Sequence, residues 1–517
     1  MSIVFRSPEP DVVFGDVTVT EAAFAKAGEL GEKPYLIDGT TGDVLTYAGA
    51  IDGIYRVAGG LIAAGLPANG VVAVIAANSP DYALAFHGTV TAGGTVTTLN
   101  PTYTVEEISH QLNDSGASMI ICDAMFVETS AAAAAASGIE TIYTIGDVPG
   151  FTSFEALKTS DPIAAPVAVD PATHVAVLPY SSGTTGLSKG VELTHRNLVA
   201  NLAQAQPVFG SVGDAVAVAV LPFFHIYGMQ VLMNGIAMGG STAVTMPRFD
   251  LVHFLEILQD YKVTHAYLVP PIILALAKHP LVDNYDLSAL QRVVSGAAPL
   301  GADLAEEAAR RIEADVVQGY GLTEVSPVSH GTLPGDYRPG SIGVLVPNTE
   351  ARIVDPETGE DCGIDTDGEL WLRGPQVMKG YLNNPEATVD CIDSDGWFHT
   401  GDIARVDEHN HFYIVDRLKE LIKYKGFQVP PAELEALLIS HPGIADVAVV
   451  PVPDVGAGEL PKAFVVRTPG SEVTDQEVKD FVAQRVATYK QVRLVEFIDE
   501  IPKSASGKIL RRLLRDR

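Results

Sequence analysis

The sequence predicts a multi-domain α/β protein, and three features carry that reading. Helix-period and strand-period stretches alternate between residues 44 and 120, the 517-residue chain is too long for one hydrophobic core, and its texture changes near Gly331 and again near Asp416. In the first region VLTYAGAIDGIYRVAGGLIAAGL places apolar residues at helical spacing, and VVAVIAA is a β-branched run ended by Asn78-Ser79-Pro80. Alternation of this kind builds parallel sheet covered by helices. The alanines between Ser130 and Ser137 make an Ala-rich helix with no function of their own. Residues 162–170, rich in Ala, Pro and Val, read as a connection, and a second α/β portion extends to about Ser329. From Gly331, Gly, Pro and Asp recur between the short apolar runs ARIV, ELWL and FYIV, which suits a small β-rich subdomain. After Asp416 to Glu420 the pattern fits a compact α+β domain of about a hundred residues. The expected organisation is therefore residues 1–418 as a large N-terminal domain, a hinge, and residues 419–517 as a small C-terminal domain.

Composition narrows the partners. Hydrophobic residues make up 47% of the chain, enough for large cores, and 64 acidic against 34 basic residues give a net charge of −30. Nucleic acid and anionic lipid would be repelled by such a surface, so an anionic ligand has to meet local clusters of Lys and Arg. Cys122, Cys362 and Cys391 are odd in number and far apart, without metal-ligand spacing, which points to free thiols in a reducing compartment. The N-terminal MSIVFRSPEPD has no basic region followed by an apolar run, and the final LRDR matches no tail address; a cytoplasmic location is expected. Apolar stretches such as Val71 to Ala77 are too short to span a bilayer.

The densest chemistry lies in SSGTTGLSKGV, Ser181 to Val191. Glycines let backbone N–H groups approach an anion, Ser and Thr add donors, and Lys189 adds a mobile cation, which together make a phosphate cradle. A Walker loop has Gly directly before its Lys, whereas Ser188 stands there here. Alone, the stretch also reads as a Ser/Gly-rich surface turn; further motifs decide between the two.

Those motifs are LPFFHIYGM (Leu221 to Met229), SGAAPLG (Ser295 to Gly301), QGYGLTEVSPV (Gln318 to Val328), GELWLRGPQVMKGY (Gly368 to Tyr381), GWFHTGD (Gly396 to Asp402), VDRLKELIKYKGFQVPPAELE (Val415 to Glu435) and PKSASGKILRR (Pro502 to Arg512). In this order, over most of the chain, they resemble the adenylate-forming acid–CoA ligases, and the resemblance is strongest to the 4-coumarate:CoA ligase group. Ser188 departs from that pattern, where Pro is usual, removing a φ restraint but no donor or charge.

The resemblance implies two half-reactions. A carboxylate attacks the α-phosphate of ATP to give acyl-AMP and pyrophosphate; the CoA thiol then displaces AMP. It implies that Ser181, Ser182, Gly183, Thr184, Thr185, Gly186 and Lys189 hold the β- and γ-phosphates, that Thr323 bonds the α-phosphate, and that Glu324 holds Mg²⁺. Tyr320 would stack on adenine, with Ala297, Ala298, Pro299, Gln318, Gly319 and Gly321 around the nucleotide. Asp402 would accept from the ribose hydroxyls with Arg417 assisting. Lys508 would be the cation of the first half-reaction, while Lys423 and Gln428 serve the second, with Lys425 and Gly426 along the CoA approach. Two lysine sites on one small domain imply that it is mobile, turning about a pivot that includes Lys419. His225 would gate the path of the thiol. Taken singly, each residue has a plainer reading: Thr323-Glu324 a helix start, Tyr320 a core ring, Asp402 a turn, His225 a satisfied core histidine, Lys508 a solvated tail lysine. An exposed Lys508 would also be open to acetylation, which removes its charge.

The acid is expected among Phe224, Tyr227, Gly228, Val294, Ala297, Gly319, Gly321, Pro327 and Val328. Val294 stands where plant members commonly have Lys, and Ala297 where Gly is usual, so less polar rings should be tolerated and the slot narrowed. Tyr227 keeps a hydroxyl for a ring substituent. These features favour cinnamate and 4-coumarate, then medium-chain fatty acids, and less readily a carrier-protein acceptor. A non-catalytic nucleotide-binding module would be expected to lack Lys508, Lys423 or Glu324, and all three are present.

Overall fold

The computed structural model describes residues 3–181, 188–209, 213–425, 427–454, 457–504 and 507–515. The first sheet has the strand order Gly380–Tyr381, Lys189–Thr194, Val175–Ser181, Thr95–Thr98, Val71–Ile75, Ala117–Asp123, Thr141–Ile145, Thr152–Ser153. From Val175–Ser181 onward the pairings are parallel, as the alternating pattern requires. Helices Pro80–Thr91, Val105–Ser115 and Val127–Ser137 are the crossovers, the last being the alanine-rich stretch. Local chemistry marks their ends. Ser79 accepts from the Tyr82 N–H with Pro80 in the first turn, Thr104 and Glu107 form a capping box, and Gly116 closes that helix in the left-handed region.

The second sheet runs Val344–Leu345, Val328–Gly331, Asp315–Gly321, Arg292–Ser295, His265–Leu268, Val216–Ala219, Thr242–Thr245, Pro34–Asp38, Val44–Thr46. The third is antiparallel, with Phe5–Arg6 beside Glu350–Val354, then Gly368–Arg373, Phe398–Val406 and Phe412–Arg417. Three boundaries differ from the expectation. Residues 5–46 contribute strands to the second and third sheets, a long-range pairing that leaves no trace in local periodicity. The helix expected from Val44 begins at Tyr47, because Thr46 caps it and Val44–Thr46 pairs with Pro34–Asp38. The strand Val344–Leu345 belongs to the second sheet, so the β-rich subdomain starts at Glu350 rather than Gly331.

Beyond Arg417 a separate core forms around Ile422, Val429, Leu434, Val447, Val465 and Val482. Its sheet has Phe427–Val429, Ile422–Tyr424, Gly458–Arg467 and Ile444–Asp454 in order, with Leu494–Phe497 parallel to Gly458–Arg467. Among the described residues no helix is long and apolar enough to cross a membrane.

One buried side chain ties the first sheet to the second. Asn78, at the end of Val71–Ile75, donates to the carbonyls of Ala219 and Leu221, both at 2.8 Å, and accepts from the Phe223 N–H at 2.7 Å. It thereby fixes the entry to the loop carrying His225. Replacing it leaves three buried backbone groups short of a partner, so Asn78→Ala is expected to lose about 3 kcal/mol of stability in urea titration, far more than the surface change Asp147→Ala.

Candidate active site

The cradle is held by a hairpin. Lys189 pairs with Ser181 and Gly190 with Tyr180 in antiparallel register, and Gly380–Tyr381 adds beside Val191 and Glu192. That addition brings Tyr381 beside Lys189. The Lys189 ammonium lies 4.1 Å from the Tyr381 ring centroid, and the Tyr381 hydroxyl donates to Glu324 Oε1 at 2.9 Å. Cation, ring and carboxylate are thus in line at the mouth of the hairpin. Ser182, Gly183, Thr184, Thr185 and Gly186 lie outside the described residues.

Beside the hairpin opens a cleft of about 490 Å³, lined by Phe209, His225, Ile226, Tyr227, Gly296, Ala297, Gly319, Tyr320, Gly321, Leu322, Thr323, Pro327, Val328 and Lys508. Gly321 allows its wall to close, since a Cβ there would collide with the Pro327 carbonyl. Asn201 braces the far side, accepting from the Val328 N–H at 3.1 Å and donating to its carbonyl at 2.7 Å. Ala297 sits at φ +69°, a region that favours glycine, and turns its methyl toward the space.

Charge gathers at one end. Tyr320 donates to Asp402 Oδ2 at 2.5 Å, and Arg417 Nε lies 3.2 Å from Oδ1. Burial raises the Asp402 carboxyl above its usual range, while Arg417 pulls it back. Lys508 enters from the small domain on a tight turn in which Ser504 N–H donates to the Lys508 carbonyl and Gly507 N–H to that of Ser504, both at 2.8 Å. Burial and then Arg417 lower its pKa, opposed by Glu324, Asp402 and Glu420. The site therefore holds a half-buried cation whose charged form is favoured by the carboxylates of Glu324, Asp402 and Glu420. His225 accepts from the Tyr227 N–H through Nδ1 at 3.2 Å, which leaves the ring proton on Nε2. Burial, and then the charge of Lys508, depress its pKa to about 3, so at neutral pH it is an uncharged donor.

Several expected residues stand elsewhere. Phe224, Gly228 and Val294 are not among the cleft-lining residues: the Phe224 carbonyl accepts from Thr98, Gly228 packs against the carbonyls of Leu221 and Pro222, and Val294 is buried within its strand. The Tyr227 hydroxyl donates to the Val294 carbonyl at 3.3 Å, so it is not free to read a ring substituent. Gln318 spends its amide on the Leu300 N–H and the Ser341 carbonyl; Ala298 and Pro299 flank the cleft without lining it. Lys508 is half-buried rather than an open tail lysine. Lys423 and Gln428 face each other across the hairpin Ile422–Tyr424/Phe427–Val429, both exposed and outside the cleft, as is Lys425. Gly426 lies outside the described residues, and Lys419 is exposed in the turn after Phe412–Arg417. Reasoning from sequence missed Phe209, Ile226, Gly296, Leu322, Tyr381 and Asn78. Ile226, Gly296, Leu322 and Tyr381 lie within the motifs quoted above, whereas Phe209 and Asn78 lie outside them.

Two largely parallel sheets, Lys189 and Glu324 linked through Tyr381, an Asp402–Arg417 pair and a lysine carried by a small second domain suit a nucleotide-dependent carboxylate-activating enzyme. Comparison with known proteins gives the same class. The AMP-binding enzyme family model matches residues 23–382 and the AMP-binding enzyme C-terminal domain model residues 433–508. 4-Coumarate–CoA ligase 3 of Oryza sativa subsp. japonica is 46% identical, covering 100% of this chain and 95% of that protein. 4-Coumarate–CoA ligase 1 of Petroselinum crispum is 44% identical, covering 100% and 97%. Among solved structures, the anthranilate CoA ligase AuaEII in complex with anthranoyl-AMP superposes with a TM-score of 0.90 at 25% identity, over 97% of both chains. ATP-bound MatB from Rhodopseudomonas palustris does so with 0.87 at 30% identity, over 97% of this chain and 99% of that one. The chain belongs to the AMP-binding, adenylate-forming enzyme family. It is an AMP-forming acid–CoA ligase, with ATP and CoA as substrates.

The commitment of the Tyr227 hydroxyl to a carbonyl has a measurable consequence. Tyr227→Phe should cost about 1 kcal/mol of stability and leave the ratio of kcat/KM for 4-hydroxylated over unsubstituted aryl acids within about twofold of its starting value. A collapse of that ratio would put the hydroxyl on the substrate.

Proposed function

We propose that the cleft is the acid and nucleotide site of the first half-reaction, and that the structure corresponds to the state in which that step occurs. The observation that carries this is Lys508, delivered by residues beyond the Phe412–Arg417 strand into the cleft that also holds His225, Tyr320 and Thr323. Carboxylate and α-phosphate repel, and a half-buried ammonium between them offsets that repulsion where it matters most. Lys189 and the hydroxyls of the cradle would take the β- and γ-phosphates. Asp402 and Arg417 would meet the ribose; Asp402 would then exchange the Tyr320 hydroxyl for a sugar hydroxyl, freeing the ring to lie along the purine. His225 would donate through Nε2 to the acid's carboxylate.

Glu324 fits a Mg²⁺ ligand. Among the described residues there is no group of three or more acidic, His or Cys side chains able to hold a metal alone, and Mg²⁺ usually relies on one or two carboxylates plus phosphate oxygens. The ion would supply charge neutralisation on the departing pyrophosphate.

For the acid we favour 4-coumarate and cinnamate. The wall from Ile226, Tyr227, Ala297, Gly319, Gly321 and Val328 is largely apolar, and two of the relatives above are named for 4-coumarate. Medium-chain fatty acids are the second reading. A further space of about 340 Å³ shares Phe209 and Val328 with the cleft and is lined by Leu202, Ala205, Val231 and Gly235 among others, which suits an alkyl tail. Three free cysteines support a reducing, cytoplasmic setting.

Lys423 and Gln428 face away from the cleft while Lys508 occupies it, so one arrangement cannot use both. We therefore assign residues 1–418 and 419–517 to two bodies that reorient about Arg417 to Lys419 between half-reactions. Lys508→Ala should lower acid-dependent pyrophosphate release by about 10²- to 10³-fold and leave thioester formation from supplied acyl-AMP largely intact. Lys423→Ala should do the reverse. Loss of the same half-reaction in both variants would refute the two-state assignment.

A further inference from the structure

The segment that carries Lys508 is a narrow hairpin. Lys503 and Ile509 form an antiparallel bridge, the Leu510 N–H donates to the Pro502 carbonyl at 2.8 Å, and Lys508 projects near the tip. Two ion pairs moor its arms. Lys503 reaches Asp446 at 2.6 Å, which fixes the incoming arm to the body of the small domain. The outgoing arm is moored by Arg511, and differently.

Arg511 bridges two carboxylates. Its Nη2 contacts both oxygens of Glu435, at 2.8 and 2.6 Å, and its Nη1 donates to Glu420 Oε2 at 2.7 Å. Glu435 lies on the helix Pro431–Ile439 and accepts in turn from the Val449 N–H at 2.7 Å, so this half of the bridge is internal to the small domain. Glu420 is different. It lies in the turn that opens the small domain, directly after the pivot Arg417 to Lys419, so it ties the outgoing arm to the start of that domain. All three partners of this bridge are nearly out of solvent, with side-chain exposures of 14% for Arg511, 16% for Glu420 and 14% for Glu435. Asp416 closes the arrangement from below, accepting from the N–H groups of Ala432 and Arg417 at 2.8 and 2.7 Å.

We propose that Arg511 and Glu420 are positioning residues for the first half-reaction: by bridging Glu420 and Glu435, Arg511 pins the hairpin that carries Lys508 to the opening turn and the helix Pro431–Ile439 of the small domain, and so sets where Lys508 stands. Neither touches substrate. Their arrangement explains why a long lysine on a short hairpin, on a domain with its own core, arrives at a defined point of a cleft built by another domain. An Arg is required rather than a Lys because two carboxylates on different elements need a planar fork with several donors. The inference rests on the role given above to Lys508.

The test separates the half-reactions, because a side chain that merely held the small domain together would affect both. Pyrophosphate release from ATP and acid without CoA, and thioester formation from supplied acyl-AMP and CoA, are measured for Glu420→Gln, Arg511→Met, Arg511→Lys and Lys508→Ala. Glu420→Gln leaves Arg511 paired with Glu435 and keeps the fold. The expected result is a fall of about 10- to 100-fold in pyrophosphate release for Glu420→Gln and Arg511→Met, thioester formation within about threefold of the parent, and partial recovery in Arg511→Lys. An equal fall in both half-reactions, or unchanged pyrophosphate release in Glu420→Gln, overturns the proposal. If Lys508→Ala separates the half-reactions and Glu420→Gln does not, the brace alone falls. If Lys508→Ala itself leaves pyrophosphate release intact, the role of Lys508 falls and the brace with it.

Discussion

The structure depends on holding one half-buried ammonium, that of Lys508, in a cleft whose burial works against its charge. Desolvating an ion costs several kcal/mol, and two things oppose that cost here. The negative charges of Glu324, Asp402 and Glu420 favour the ammonium while Arg417 opposes it, and the cleft is only partly closed to solvent at Lys508. The cluster exists only where the large domain, the turn and the small domain meet. Catalytic charge and domain arrangement are therefore one problem.

The two α/β sheets place the rest. Asn78 clamps the entry to the loop that carries His225, and the pairing of Gly380–Tyr381 with the cradle hairpin brings Tyr381 between Lys189 and Glu324. The third sheet sets Asp402 opposite Arg417 by direct strand register. Lys189, Asp402 and Arg417 are fixed by strand pairing, so this part of the site can be preorganised before substrate arrives.

Much of this was legible in the sequence. Helix and strand periodicity located the parallel sheet over residues 44–120, and the motif residues Tyr320, Thr323, Ala297, His225 and Lys508 converge on one cleft. What was not legible was pairing at a distance. Phe5–Arg6 pairs with Glu350–Val354 and Pro34–Asp38 with Thr242–Thr245, strands hundreds of residues away, and no local period reports that. Side-chain direction was also hidden. Val294 faces inward from its strand and Gly228 is held by a carbonyl contact, so position within a motif did not make either a wall of the cleft. Nor could spacing show that the Tyr227 hydroxyl is already spent on a carbonyl, or that a lysine on a Gly/Ser loop is half-buried.

The most direct measurement is AMP release with ATP and Mg²⁺, with and without CoA, across cinnamates, benzoates and C6 to C16 fatty acids. The account predicts CoA-dependent turnover that is greatest with 4-coumarate or cinnamate, because the lining around Ile226, Ala297 and Val328 is apolar and the Tyr227 hydroxyl is occupied. Turnover greatest with alkyl chains would move the acid into the space behind Phe209 and Val328, and contradict the aryl assignment. Acid-dependent adenylate with no effect of CoA would contradict the account at its centre.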